Sequence, residues 1–144
     1  MREARRPDSG PSPGAAHPRR ARVLAIDDEP FVLRALGRIL EAHDLTPLAS
    51  ARDALARLDA GERFDLVLCD LLMPEMTGLD LHARLRQQFP DQAARVVFMT
   101  GGVGQEARDA AERLPAVVLD KPLNARALSA FVDDFLLRRD ERAA

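Results

Sequence analysis

Short apolar runs alternate with longer amphipathic segments along most of the chain. The runs have the length of buried strands, and the segments between them carry apolar residues three and four positions apart, the period of a helix with one buried face. Pro30 suits the first turn of such a helix. The predicted strands are 22–26, 45–49, 66–69, 95–99 and 116–119. The predicted helices are 30–40, 51–60, 78–89, 105–114 and 125–138.

This alternation predicts the fold class. Five strands separated by five helices indicate a doubly wound α/β fold, in which right-handed crossovers join parallel strands and helices cover both faces. Strands that are apolar throughout fit burial on both faces. Pro47 removes a hydrogen-bond donor from the second strand, so that strand is expected at an edge of the sheet. Pro90 is expected to end the third helix.

Composition and charge divide the chain unevenly. Its 144 residues are 47% hydrophobic, enough for one domain with a core. Residues 1–22 carry +4 and four of the ten prolines without apolar periodicity, so 1–21 are predicted to be a disordered tail or linker. A single domain is expected over 22–139, with a short tail at 140–144. The remainder from residue 23 carries −6, which argues against a nucleic-acid surface.

The sequence also bears on location. The longest apolar stretches are far shorter than the ~20 residues of a membrane helix, and the arginine-rich start lacks an apolar signal core. The one cysteine, Cys69, excludes an internal disulfide framework and a thiolate zinc site. We therefore expect a cytoplasmic protein that has no contact with membranes.

Polar residues stand at the ends of four predicted strands. They are Asp27 and Asp28, Asp70, Thr100, and Lys121, the only lysine among 21 basic residues. Ligands of open parallel sheets bind beyond these strand ends. A single aspartate there is usually a turn former or helix cap, but four ends out of five are hard to assign to capping. Clustered carboxylates favour a hard cation, above all Mg²⁺. With an ammonium and a hydroxyl, they indicate a phosphoryl site.

Four segments carry a family resemblance. They are VLAIDDEP (23–30), LVLCDLLMPEMTG (66–78), VVFMTGG (96–102) and VLDKP (118–122). In this order they resemble the signature blocks of response-regulator receiver domains, the CheY-like phosphoacceptors of two-component signalling. The resemblance covers about residues 22–138. It implies a flavodoxin-like (βα)5 fold with strand order 2-1-3-4-5.

The resemblance also implies roles for the strand-end residues. Asp70 matches the phosphoacceptor. Asp28, Asp70 and the backbone carbonyl of Leu72 match the Mg²⁺ ligands, and Asp27 matches a ligand that acts mostly through water. All of these residues lie in the blocks after the first and third strands.

Two further residues match the family's switch. Thr100 corresponds to the hydroxyl that turns toward the phosphoryl group, and Lys121 to the lysine that pairs with it. The bond from Lys121 to Pro122 is expected to be cis. Val118 departs from the pattern, because the family often has an aromatic residue there that turns inward on activation.

The expected function is that of a receiver domain rather than an enzyme. Asp70 would take a phosphoryl group from a sensor histidine kinase or phosphotransfer protein, and the surface formed by 105–138 would then engage a downstream protein. The chain would be either a single-domain regulator or the receiver segment of a hybrid kinase. The MTGG and LDKP segments resemble the hybrid-kinase group most. Signal is expected to pass through the backbone of the loop 101–104, whose glycines make displacement easy.

Two other functions stay open. One is a phosphatase of the haloacid-dehalogenase type, which also forms an aspartyl phosphate. That class needs an aspartate two positions after the nucleophile, whereas Leu72 stands two positions after Asp70 and Glu29 two positions after Asp27. The other is an adaptor that is no longer phosphorylated, which the presence of all the site residues disfavours.

Overall fold

The computed structural model describes residues 20–102 and 104–143, with side chains described as far as residue 138. The strands in this part are β1 (Arg22–Ile26), β2 (Asp44–Leu48), β3 (Leu66–Asp70), β4 (Val96–Thr100) and β5 (Val118–Asp120). The helices are α1 (Pro30–Ile39), α2 (Ala51–Asp59), α3 (Gly78–Gln88), α4 (Pro90–Ala93), α5 (Gln105–Glu112) and α6 (Ala125–Ala143). Over the same residues, the structure contains no helix with the length and hydropathy needed to span a membrane.

The strands form one parallel sheet. Their order is β2-β1-β3-β4-β5, which confirms the predicted fold class and topology. β2 is an edge strand, as Pro47 predicted, and pairs that proline with Ala25 of β1. The opposite edge, β5, has three residues.

Apolar side chains form one core layer on each face of the sheet. One layer packs α2, α3 and α5 against the strands, and the other packs α1 and α6. The three inner strands contribute alternately to both layers, since neighbouring side chains in a strand point to opposite faces. Burial on both faces explains why these strands read as continuous apolar runs.

Pro90 does end α3, but it also begins α4, a short helix that the sequence pattern did not predict. A proline lacks the N–H that would continue α3, whereas its fixed φ suits the first turn of a new helix. The side chain of Gln92 then fixes α4. Its Oε1 accepts the backbone N–H of Phe64 at 2.9 Å, and its Nε2 donates to the carbonyl of Phe64 at 3.1 Å.

The ends of the chain differ from prediction in two places. The predicted tail 1–21 lies mostly outside the described residues, but its last residue, Ala21, is fully buried. The N–H of Ala21 donates to Nδ1 of His43 at 3.1 Å, and its carbonyl accepts from Asp44 at 2.8 Å, so Ala21 belongs to the domain.

At the other end of the chain, a short tail was expected over 140–144, but α6 continues through 140–143. The helix continues because the sequence there has helix-forming residues and no glycine or proline.

Gly78 lets α3 begin directly against the strand that carries Asp70. Its N–H donates to the carbonyl of Leu71 at 3.0 Å, and a Cβ at this position would overlap the carbonyl oxygen of Asp70. Gly78→Ala is therefore expected to lower the free energy of unfolding by about 1–3 kcal/mol. Gly37 is the matched control, because nothing lies within 4 Å of its Cβ position in α1.

Gly37→Ala is expected to raise the free energy of unfolding by about 0.5–1 kcal/mol, since alanine is the better helix former. Urea denaturation of both variants measures the difference. Equal effects of the two substitutions would show that α3 can move away from the strand at no cost.

Candidate functional site

The structure brings the three predicted aspartates together. One oxygen from each of Asp27, Asp28 and Asp70 lies within 4.8 Å of the others. β1 and β3 are neighbours in the sheet, so their carboxyl ends place these side chains side by side. Asp27 is fully buried, Asp70 is nearly so, and Asp28 is exposed. The cluster therefore reaches solvent on one side only.

Lys121 reaches this cluster from the edge of the sheet. Its Nζ lies 2.6 Å from Oδ2 of Asp27 and 3.5 Å from Oδ2 of Asp70. Its backbone N–H donates to the carbonyl of Thr100 at 2.7 Å, which ties the lysine to the end of β4. The bond from Lys121 to Pro122 is cis, as the resemblance implied.

Glu29 is a member of the site that the sequence analysis did not single out. Its Oε1 lies 3.5 Å from Nζ of Lys121, and its N–H donates to Oδ1 of Asp27 at 2.9 Å. The sequence feature that could have indicated its role is its position as the third acidic residue in a row after β1. An acidic residue just before a helix that starts with proline is common, so this feature alone did not identify Glu29 as a site residue.

Burial and neighbouring charges shift the pKa values of three groups at the site, Asp70, Lys121 and Cys69. Burial raises the pKa of Asp70 to about 6, and the charge of Asp27 adds to the effect, against the opposing influence of Lys121 and the N–H of Leu72. For Lys121, burial acts to lower its pKa, but the hydrogen bond to Asp27 and the surrounding carboxylates together raise it above the usual value. The Cys69 thiol is fully buried, and burial followed by the charge of Asp70 raises its pKa. Burial therefore disfavours the thiolate form of Cys69.

A cleft of about 280 Å³ opens beside Asp70. Its lining residues are Asp28, Glu29, Asp70, Leu72, Thr100, Gly101 and Lys121. Among these residues, Thr100 is buried. The backbone carbonyl of Leu72 as a metal ligand stays a prediction.

The side chain of Leu72 lies against the loop between β4 and α5. A Cβ at Gly104 would come within 2.6 Å of Cδ1 of Leu72. Gly104 has φ +77°, so it suits glycine for both space and conformation. A side chain at residue 104 would require Leu72 to move, and its backbone conformation would be strained.

The aspartate cluster fits a divalent cation. Its three ligand residues offer only carboxylate oxygens, which hard ions such as Mg²⁺ prefer. Burial raises the pKa of Asp70 most, and the charge of Asp27 raises it further. A bound cation would offset the mutual repulsion of carboxylates held close together.

Comparison with known proteins agrees with this geometry. The sequence model of one protein family, the response regulator receiver domain, matches residues 23–133. The chain is 37% identical over 84 residues to the transcriptional regulatory protein TcrA of Mycobacterium tuberculosis, covering 56% of this chain and 33% of TcrA. It is 29% identical over 122 residues to the aerobic respiration control sensor protein ArcB of Escherichia coli, covering 83% of this chain and 16% of ArcB. The chain thus spans a third or less of each of these relatives.

A solved structure extends the match to three dimensions. The CheY-like response regulator receiver domain from Methanospirillum hungatei JF-1 superposes with a TM-score of 0.74 at 26% identity. The match covers 87% of this chain and 99% of that structure. The family match, the sheet order and the aspartate cluster with its lysine agree with one another, and the chain belongs to the response regulator receiver domain family.

Proposed function

We propose that Asp70 accepts a phosphoryl group from the phosphohistidine of a sensor kinase or phosphotransfer protein. The observation that carries this proposal is the placement of Asp70 in the cleft, within 4.8 Å of two further carboxylates and 3.5 Å from the ammonium of Lys121. This carboxylate lies beside the fixed positive charge of Lys121 and within a cluster that could hold a metal cation. Positive charge on both counts favours attack by a carboxylate on an anionic phosphorus centre.

The proposed step balances as follows. A carboxylate oxygen of Asp70 attacks phosphorus, the P–N bond of the phosphohistidine breaks, and the departing imidazole nitrogen keeps the electron pair and takes up a proton. Lys121 pairs with the phosphoryl oxygens, and the Thr100 hydroxyl donates to one of them. Water later attacks phosphorus, the P–O bond breaks, and inorganic phosphate leaves while the carboxylate of Asp70 is restored. The chain is then a phosphoryl carrier and not an enzyme with a separate substrate.

Magnesium is the cation we propose for the aspartate cluster. Asp27, Asp28 and Asp70 would hold it, with the carbonyl of Leu72 as a further ligand. When bound, Mg²⁺ supplies positive charge that offsets the phosphoryl oxygens. The three carboxylates would hold the cation, whereas Lys121, 3.5 Å from Asp70, would itself pair with the phosphoryl oxygens.

Two kinds of partner belong to the proposal. The donor is a sensor histidine kinase or phosphotransfer protein, and the recipient is a downstream protein that binds the surface of α5, β5 and α6 within 105–138. Relatives of both kinds support this, since TcrA is a regulatory protein and ArcB a sensor protein. A cytoplasmic location is also proposed, and the buried free thiol of Cys69 is in keeping with a reducing compartment.

The phosphatase alternative is not favoured by the site. Leu72 occupies the position, two residues after Asp70, where that class needs an aspartate, and it lines the cleft. A generic phosphomonoester distinguishes the two functions, because multiple turnover would support a phosphatase.

Intact-mass analysis with acetyl phosphate tests the proposed function. In the presence of Mg²⁺ the protein should gain one phosphoryl group per chain, and chelation of the metal should prevent the gain. Asp70→Asn should gain none. Asp59→Asn, at an exposed carboxylate of α2, is the control and should be labelled like the wild type. Labelling of the Asp70 variant would overturn the assignment.

A further inference from the structure

An ion pair joins α5 to the end of β5. The guanidinium of Arg108 contacts both carboxylate oxygens of Asp120, Nη1 meeting Oδ1 and Nη2 lying 3.5 Å from Oδ2. Nε of the same guanidinium lies 3.3 Å from a carboxylate oxygen of Glu112. A planar guanidinium held by two carboxylates has a fixed orientation, which a single-atom cation would not have.

This ion pair adjoins two residues of the site. Asp120 is the register partner of Thr100 across β4 and β5, and it directly precedes Lys121. The hydrogen bond from Lys121 N–H to the carbonyl of Thr100 lies at the same point. Displacement of this strand end therefore moves Asp120 together with Lys121.

The rest of the attachment of α5 is slight. Ala111 is the one buried side chain within Gln105–Glu112, and Gly104, the residue before the helix, has no side chain to cap it. Val118 packs in the same core layer as Ala111, so Asp120, two residues on, faces the α5 side of the sheet. Val118 is aliphatic, so no aromatic side chain at this position links the site to α5. The polar contact is the more specific link between helix and strand.

We propose that Arg108 is a positioning residue, which holds the end of β5 through Asp120 and transmits movement of Thr100 and Lys121 to α5. The proposal rests on the proposed function, because a phosphoryl group at Asp70 is what moves those residues. Asp120 is two-thirds exposed, and exposed ion pairs add little to stability. Loss of the pair should therefore leave the fold intact and affect the coupling.

The test compares amide NMR spectra recorded with and without beryllium fluoride in the presence of Mg²⁺. Beryllium fluoride bound to a carboxylate is a tetrahedral mimic of a carboxyl phosphate. In the wild type, shifts are expected in the loop at Gly101, at Lys121 and along α5. Arg108→Gln should keep the shifts at Gly101 and lose more than half of those in α5, with a thermal midpoint within about 3 °C of the wild type. Arg113→Gln, at an exposed arginine just after α5, should respond like the wild type.

A double-mutant cycle separates coupling from simple damage. Asp120→Asn should reproduce the loss in α5, and the double variant should lose no more than either single variant. Wild-type shifts in α5 of the Arg108 variant, or additive losses in the double variant, would overturn the proposal. If the wild type neither responds to beryllium fluoride nor gains a phosphoryl group, the proposed function fails and this inference fails with it.

Discussion

Lys121→Met is expected to lower the free energy of unfolding by about 3–5 kcal/mol at pH 7.5 in metal-free buffer, because breaking a buried ion pair leaves charge behind. The ammonium lies 2.6 Å from a carboxylate oxygen of Asp27, which is fully buried, and 3.5 Å from Asp70. Methionine keeps the length and loses the charge. The two carboxylates then repel each other at low solvent exposure. Chemical denaturation with and without Mg²⁺ measures the loss, and Mg²⁺ is expected to recover part of it.

Two variants serve as matched controls. Lys121→Arg keeps the charge and should lose much less stability, but it should accept a phosphoryl group far more slowly, since a planar guanidinium cannot replace a compact ammonium in the cleft. Arg84→Met removes an exposed charge of α3 and should change stability by less than about 0.5 kcal/mol. Wild-type labelling of the arginine variant would show that the lone lysine is incidental.

Stability should also depend on pH through Asp70. Its pKa is about 6 in the folded protein, against about 3.9 for an unfolded aspartate, so the folded state binds more protons between these values. The stability contributed by the protonated form is complete below pH ~4 and is lost as pH rises through ~6. The total loss is on the order of 3 kcal/mol, of which about 1.4 kcal/mol falls between pH 5 and 7.5.

Asp70→Asn isolates this effect, because asparagine has the same shape and does not ionise. In metal-free buffer the variant should be more stable than the wild type at pH 7.5, and the gap should narrow toward pH 5. Added Mg²⁺ should stabilise the wild type more than the variant. A gap that does not change with pH would show that Asp70 ionises in the fold as it does in the unfolded chain.

The sheet was predictable because its signals are local. Apolar runs of strand length, polar residues at their carboxyl ends and Pro47 in the edge strand all act within a few residues of where they stand. The order of the strands came from the family resemblance. The meeting of Asp27, Asp70 and Lys121 followed from topology, since parallel strands end at one edge of the sheet.

Other features depend on contacts between distant residues. The helix that begins at Pro90 is fixed by hydrogen bonds from Gln92 to Phe64, 28 residues away. Glu29 joins the site through Lys121, 92 residues further along the chain. Ala21 is buried because its N–H meets His43. In each case the partner is far away in the sequence, and the residues around the affected position carry no signal of the contact. Local sequence patterns therefore could not predict these features.

The two edges of the sheet bear on how this domain can associate. Exposed edge strands are templates for pairing with another chain and hence for aggregation. Here one edge contains Pro47, which has no N–H to offer, and the other has three residues and ends in Asp120. Both edges are therefore poor templates for strand addition. The proposed partners would therefore bind and leave through side-chain contacts, without the risk of irreversible β-sheet growth.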